Sequence, residues 1–398
     1  MAKKTGNPIV DILSSLQLAC VMLSLLFILT LLGTLYQVEH GLYEAKEVFF
    51  SSWFIWKFGI PIFPSGLTCM TILTANMLTG GLIRLKISKR NLGVVITHIG
   101  IALMLGSGMV KVLTADEGNL ALLEGERSNF FSSLYKWEVA ITEVGGDGAG
   151  LVIQDKYLSD LDGDSARTVK SDVLPFDVTL SGFVKNSRIQ PKGPMWEASG
   201  PVVDGFGIFE MPPMKESEQN ASGMHVEIAG QQGILWGFQR APWTVKVDGR
   251  TFLVDMRHER YEMPFSIELI KFMKEEHPGM SMAKAYRSDV YKIDESGQEK
   301  IRIQMNEPLR SENLVLFQSS FGTQASGTYS VFSVVDNVSD QWPLYSLWVV
   351  TAGMLLTFVQ RLVKVIISPS RRRTSSRTSS SRWSTCPSPT VAVSRPAR

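Results

Sequence analysis

The chain has 398 residues and a near-balanced charge, 40 Lys and Arg against 38 Asp and Glu, for a formal net charge of +2. That balance gives no footing for a nucleic-acid partner, and the length leaves room for two or three domains. Charged residues are only 20% of the total, and the apolar ones gather in four runs, near 12–36, 60–82, 92–113 and 342–367. Each run is close to the ~20 residues that cross a bilayer.

Residues 1–11 form a short N-terminal segment carrying Lys3 and Lys4. The run that follows resembles a signal peptide only at first sight. Its apolar core is too long, no small-residue cleavage site follows it, and further spans come after. It reads as a retained helix over 12–36, with Ser14, Ser15 and Gln17 at its inner end and Leu32-Gly33-Thr34-Leu35-Tyr36-Gln37 at its outer end. The Gly33-Thr34 pair suits either a close helix contact or a simple helix end. Residues 38–57 hold Tyr43, Phe49, Phe50, Trp53, Phe54 and Trp56. Aromatics gather at membrane interfaces, so this stretch is expected to lie as an amphipathic piece on the outer face or to serve as an ordinary aromatic belt.

The second span, 60–82, opens on Pro61 and Pro64, which should kink or delay its first turn. It closes on Asn76, Thr79, Gly80 and Gly81, a small and polar packing surface. A basic link with Arg84, Lys86, Lys89 and Arg90 leads to the third span, 92–113, which carries a single histidine, His98. An ionisable side chain is costly in hydrocarbon, which makes His98 the leading functional residue. Helical geometry sets His98, Ala102 and Gly106 on one i, i+4 row, where small residues let a helix or a flat ligand approach closely. The bland alternative is a histidine that only hydrogen-bonds Ser or Thr on a neighbouring helix.

Residues 114–341 alternate as strands do, as in WEVAITEV (137–144), FDVTL (176–180), WTVKV (243–247), TFLVD (251–255) and IRIQM (301–305). Gly145-Gly146-Asp147-Gly148, Asp248-Gly249 and Glu295-Ser296-Gly297 supply turns, and Asp248-Gly249 between two strands is a strong hairpin signal. The expectation is a large, mainly β extracytoplasmic domain, a sandwich or open barrel, with a long loop over 192–219. The expected architecture is therefore an α-helical membrane protein of four transmembrane helices, with this domain between helices three and four.

Helix four follows Trp342 and Pro343, and Gln360, Arg361 and Lys364 sit at its inner end, where long basic chains snorkel. The tail, 368–398, is rich in Ser, Arg and Pro without one acidic residue and is expected to be disordered. Lys3 and Lys4, the basic link, and Arg371, Arg372 and Arg373 all fall on one side if there are four spans. Both termini are then cytoplasmic, and the β domain lies outside, in the periplasm of a bacterium or the lumen of a plastid.

The cysteines are Cys20, Cys69 and Cys386, none of them in the 114–341 domain. That domain therefore has no disulfide of its own and performs no thiol exchange. The chain lacks CxxCH, GxSxG, P-loop and HExxH motifs, so covalent haem, hydrolase and nucleotide chemistry all lose support. Four spans with one ionisable group also leave little for a transporter's ion path. His40, His225, His258 and His277 show no metal-ligand spacing and read as solvated or structural.

Other stretches resemble a known family. Residues 264–272 (PFSIELIKF), Tyr286-Arg287-Ser288-Asp289-Val290, Gln304-Met305-Asn306-Glu307-Pro308-Leu309 and Leu316-Phe317-Gln318-Ser319-Ser320 occur in the order of the ResB family of cytochrome c biogenesis proteins. Leu32-Gly33-Thr34-Leu35 and Thr97-His98 are similar as well. The resemblance covers residues 12 to about 359, weakly across 145–240, and finds no counterpart for the tail. It implies a non-autonomous subunit of a system II cytochrome c haem lyase in a bacterial inner membrane. Such a subunit helps move haem across the membrane and attach it to CxxCH motifs of apocytochrome c. The partners implied are a polytopic haem-handling protein with a Trp-rich segment, apocytochrome c, and a separate thioredoxin-like reductant. By the same resemblance His98 becomes an axial ligand for the iron of transiently held haem b, for which imidazole is suited. Gly33, Thr34, Asn306, Pro308, Leu309 and Gln318 take structural or docking roles. Two rivals remain, a scaffold subunit without haem ligation and a membrane-anchored binding or sensor module.

Overall fold

The first apolar run does not form one helix. In the computed structural model, which describes residues 7–57, 59–83, 88–89, 91–146, 150–161, 163, 165–193, 198–280, 283–325 and 327–367, α1 (Pro8–Leu13) stops at Ser14 and α2 (Leu16–His40) restarts behind Ser15. Ser15 Oγ caps the new helix by accepting from Leu18 N at 3.1 Å. The carbonyls exposed by the break find a donor too. Asn76 Nδ2 reaches Leu13 O at 2.6 Å and Ser15 O at 2.9 Å, satisfying groups that hydrocarbon would leave unpaired.

The outer segment differs from the single amphipathic piece expected over 38–57. α2 runs on to His40, and α3 (Leu42–Lys46) follows with a π turn, Glu47–Ser51. A hairpin of β1 (Phe54–Lys57) and β2 (Ile60–Pro64) comes next. The expected start of the second span at residue 60 is therefore corrected. Pro61 and Pro64 hold the chain extended in a two-stranded ribbon, where a missing N–H is tolerated, and the helix begins only after Ser65. α4 (Gly66–Met77) then passes directly into a π segment, Leu78–Ile83.

Among the described residues three helices are long and apolar enough to cross a membrane: α2, α5 (Leu92–Thr114) and α6 (Trp342–Ile367). α4 packs beside α2 and α5. α5 and α6 meet through glycines. A Cβ at Gly93 would sit 2.7 Å from Gly353 O, one at Gly100 2.9 Å from Val350 N, and one at Gly353 2.6 Å from Thr97 N. Bare backbone is what lets these two helices touch. Lys3, Lys4, Arg84, Lys86, Arg90, Arg371, Arg372, Arg373, Asp147, Gly148 and the whole 368–398 tail lie outside the described residues.

Between α5 and α6 the regular elements among the described residues are strands and two single turns, Asp155–Tyr157 and Ser217–Gln219. Its strands are β3 (Asp116–Leu123), β4 (Arg127–Glu143), β5 (Gly150–Ile153), β6 (Ala166–Val169), β7 (Val178–Val184), β8 (Ser187–Pro191), β9 (Phe206–Glu210), β10 (Gly223–Ile228) and β11 (Gln231–Trp236). After these come β12 (Trp243–Val247), β13 (Arg250–Glu276), β14 (Ala283–Asp294), β15 (Gly297–Gln304), β16 (Leu309–Ser311), β17 (Leu314–Gln324) and β18 (Gly327–Asp336).

The largest sheet runs β15-β14-β13-β4-β3-β18-β17-β16, and β15 comes round to lie against β16 and β17. This open barrel encloses Leu120, Phe131, Ile267, Val290, Leu316 and Phe332. β3 and β18 are paired neighbours, Asp116 opposite Asp336, and they lead directly into α5 and α6. The far halves of β4 and β13 leave the barrel, collect β5 and β12, and face a second sheet, β11-β10-β7-β6. A separate core of Trp137, Val139, Leu180, Val226, Val245 and Val254 fills that sandwich. The Asp248-Gly249 hairpin forms as expected, both residues at positive φ (51° and 78°), which twists β12 onto β13. The loop expected over 192–219 is corrected in part: Phe206–Glu210 is a strand paired with β8, and it buries Ile208 completely.

Candidate functional site

His98 sits in α5 with its ring half-buried. Its Nδ1 lies 2.7 Å from Val94 O, one turn earlier on the same helix. A carbonyl can only accept, so Nδ1 is the donor, and in a neutral ring the lone pair is then on Nε2. That is the usual arrangement of a ligating imidazole, one nitrogen tied to a backbone carbonyl and the other free for a metal. Gly81, from the π segment after α4, covers the ring's other flank. A Cβ there would overlap the imidazole, with His98 Cγ at 3.0 Å and Cβ at 3.3 Å.

Ala102 and Gly106 continue the row toward the outer end of α5, both half-buried. A Cβ at Gly106 would meet nothing within 4 Å. The close contact with α6 lies on a different stripe, Gly93 and Gly100, which Ser107 continues to Ser339 in the turn before α6. Sequence reading missed that stripe, although its seven-residue spacing was visible.

Gly33, by contrast, does the work of a close-approach residue. A Cβ there would meet the Phe50 ring at 3.2 Å, so Gly33 seats the π turn on the outer end of α2. Thr34 turns back onto its own helix, donating to Thr30 O at 2.7 Å. His40 stacks on Tyr36 with ring centroids 3.8 Å apart.

The other motif residues lie in the barrel. Asn306 is exposed in a tight turn closed by Gln304 and Glu307, Pro308 follows it, and Leu309 is buried in the barrel core. Gln318 sits at a bulge in β17 and ties a buried polar knot. It accepts from Ser288 Oγ at 2.6 Å and donates to Ser330 Oγ at 2.9 Å. His98 lies sixteen residues below the outer end of α5, roughly 24 Å along a helix.

Sequence reading also missed a junction between the outer segment and the β domain. Tyr43 stacks on Tyr135 at 3.9 Å, Lys46 and Lys111 both pair with Glu117 (3.6 and 3.1 Å), and Lys136 reaches Asp116 at 3.4 Å and the Tyr261 hydroxyl at 3.2 Å. Burial pushes the Tyr43 hydroxyl up to about 12, helped by the Glu47 charge. Burial alone would depress Lys136, but Tyr261 and Asp116 hold it above the ordinary lysine range. Two cavities of about 440 and 570 Å³ meet at Tyr43, Glu47 and Tyr135, and neither is lined by His98.

His225 is buried, and His258 is half-buried with its ring reaching the backbone of Lys136. His225 Nε2 donates to Pro201 O at 3.0 Å, and His258 stacks on Trp137 at 4.0 Å. Neither Nδ1 has a hydrogen-bond partner among the described residues, and burial holds both rings below the usual histidine range. His277 caps a turn, its carbonyl accepting from Met280 N. Among the described residues no three His, Cys, Asp or Glu side chains converge as a metal centre.

Residues 225–397 match the model of the ResB-like family. This part of the chain is similar to the ResB-like family. The match begins in β10, takes in the barrel motifs at Asn306, Pro308, Leu309 and Gln318, and includes all of α6. It also runs into the tail, where the motif comparison found no counterpart. His98 and the helices before the β domain precede the ResB-like span. No curated protein matches the chain.

Proposed function

We propose that the chain is the ResB-like subunit of a membrane assembly for cytochrome c biogenesis, and that His98 holds the iron of haem in transit to apocytochrome c. The observation that carries this reading is the contact of His98 Nδ1 with Val94 O at 2.7 Å, which leaves Nε2 to offer a lone pair within an apolar helix. Haem b is the substrate, held without a covalent bond. A second axial ligand would come from a polytopic partner with a Trp-rich segment.

In this reading α2, α4, α5 and α6 form four spans of a bacterial inner membrane, with both termini cytoplasmic and the β domain periplasmic. The β domain carries no cysteine, so it would dock the partner and the CxxCH segment of apocytochrome c while a separate thioredoxin-like protein reduces the thiols. Attachment then gains chiefly from proximity and orientation.

The test is maturation in cells. Replacing His98 with Ala should abolish or sharply lower c-type cytochromes while the protein accumulates in the membrane at its normal level. A scaffold reading draws on one observation, the packing of the His98 ring against Gly81. It predicts normal cytochrome levels in His98→Ala.

A further inference from the structure

The geometry points to Gly81 as the positioning residue for His98: the π segment Leu78–Ile83 presses glycine backbone against the imidazole and fixes which nitrogen is free. This inference rests on the haem-ligand reading for its purpose, but its geometry stands apart from that reading.

Three observations carry it. The α-helix of α4 gives way to a π turn at the level of His98, and π turns inside helices are concentrated at functional sites. Consecutive glycines there serve two neighbours. A Cβ at Gly80 would lie 3.3 Å from Ser14 O, at the α1–α2 break, while one at Gly81 would overlap the His98 ring. The wider π turn thus spreads adjacent residues onto separate partners. Finally, the covalent geometry of imidazole completes the argument. Nδ1 and Cδ2 flank Cγ, the first bound to Val94 O and the second covered by Gly81. Only the Cε1–Nε2 edge is left uncovered by either contact.

A side chain at 81 would push the ring off this seat. The Nδ1–Val94 bond would loosen, and the two neutral tautomers would exchange. Orienting partners of a ligating histidine typically matter by about 10- to 100-fold in affinity.

The full chain in lipid nanodiscs is titrated with haemin, comparing wild type, Gly81→Ala, Gly80→Ala and His98→Ala. Ring nitrogen shifts of ¹⁵N-histidine are recorded without haemin, with His98 assigned by its loss in His98→Ala. The expected result is an Nδ1–H tautomer in wild type and Gly80→Ala, a mixed tautomer in Gly81→Ala, and haemin binding weakened by about tenfold or more in Gly81→Ala, with added imidazole restoring the low-spin spectrum. Haemin binding and tautomer in Gly81→Ala equal to wild type, with His98→Ala impaired, would overturn the role of Gly81 and leave the haem site standing. Equal haemin binding in wild type and His98→Ala would instead sink the haem reading, and the tautomer comparison would still decide the positioning role. Should Gly81→Ala fail to accumulate, an Nε2–H tautomer in wild type would by itself contradict the inference.

Discussion

At the scale of single residues, His98 shows how far a sequence can be read and where it stops. Its position inside an apolar run was enough to single it out, because an ionisable group there needs a reason. Which nitrogen is free was not legible, since that depends on Val94 O and on a glycine from another helix. His225 and His258 went the other way. They read as ordinary from sequence, yet each has an Nδ1 without a partner among the described residues and a depressed affinity for protons, caused first by burial. A depressed histidine is protonated more readily in the unfolded chain, near its usual value of about 6.5. Stability is therefore complete above that pH and falls as pH drops through it toward the lower folded values. The raised carboxyls of Asp155 and Glu259, desolvated first of all, act in the opposite sense at more acidic pH. Thermal unfolding in detergent should show a lower Tm at pH 5.5 than at pH 7.5, and the double variant His225→Gln, His258→Gln should flatten that slope. An unchanged slope would remove both rings from the account.

Among the elements, helices with clean apolar periods and strands with clean alternation were legible, and the transitions were not. The hairpin of β12 and β13 follows from Asp248-Gly249, whose positive φ values suit a two-residue turn. Replacing Gly249 with Val should cost about 1 kcal/mol or more, measured by denaturant unfolding, because a branched side chain resists that backbone region. The second span was misread at its start because hydropathy does not distinguish an apolar strand from an apolar helix. Pro61 and Pro64 decided the matter by favouring extended chain. The α5–α6 contact offers a sharper contrast between two glycines of one helix. Gly93→Ala brings a methyl against Gly353 O and should destabilise by roughly 1–3 kcal/mol, as overpacking does. Gly106→Ala meets open space and should leave thermal stability unchanged or slightly raised. Equal melting of the two variants would mean that α5 and α6 do not pack as described.

For the whole molecule, two long strands join everything outside the helices. β4 and β13 run from the barrel into the sandwich, so each contributes to both hydrophobic cores. At their crossing from one lobe to the other, Glu138 is almost fully buried and receives Arg257 Nε at 2.7 Å. Removing Glu138 leaves the partly exposed Arg257 without its partner, so Glu138→Ala should cost roughly 1–3 kcal/mol. Both lobes should then melt in one early transition, visible by calorimetry. Independent melting with the barrel unchanged would show that the strands do not couple them. The β class of this domain was legible from alternation and turns. Its division into barrel and sandwich was not, because one 27-residue strand pairs with different partners along its length. Nor was the charged junction at Tyr43, Lys46, Glu117 and Lys136, whose members are distant in sequence and meet only when the outer segment folds back on the domain.

The central claim is that His98 presents a free Nε2 to haem iron. Its most direct measurement is the visible absorption spectrum of the protein purified with the polytopic partner proposed for it, wild type beside His98→Ala. A Soret band in wild type that falls in His98→Ala and returns with added imidazole is the predicted result. An equal band in both proteins would contradict the claim and take His98 out of the haem site.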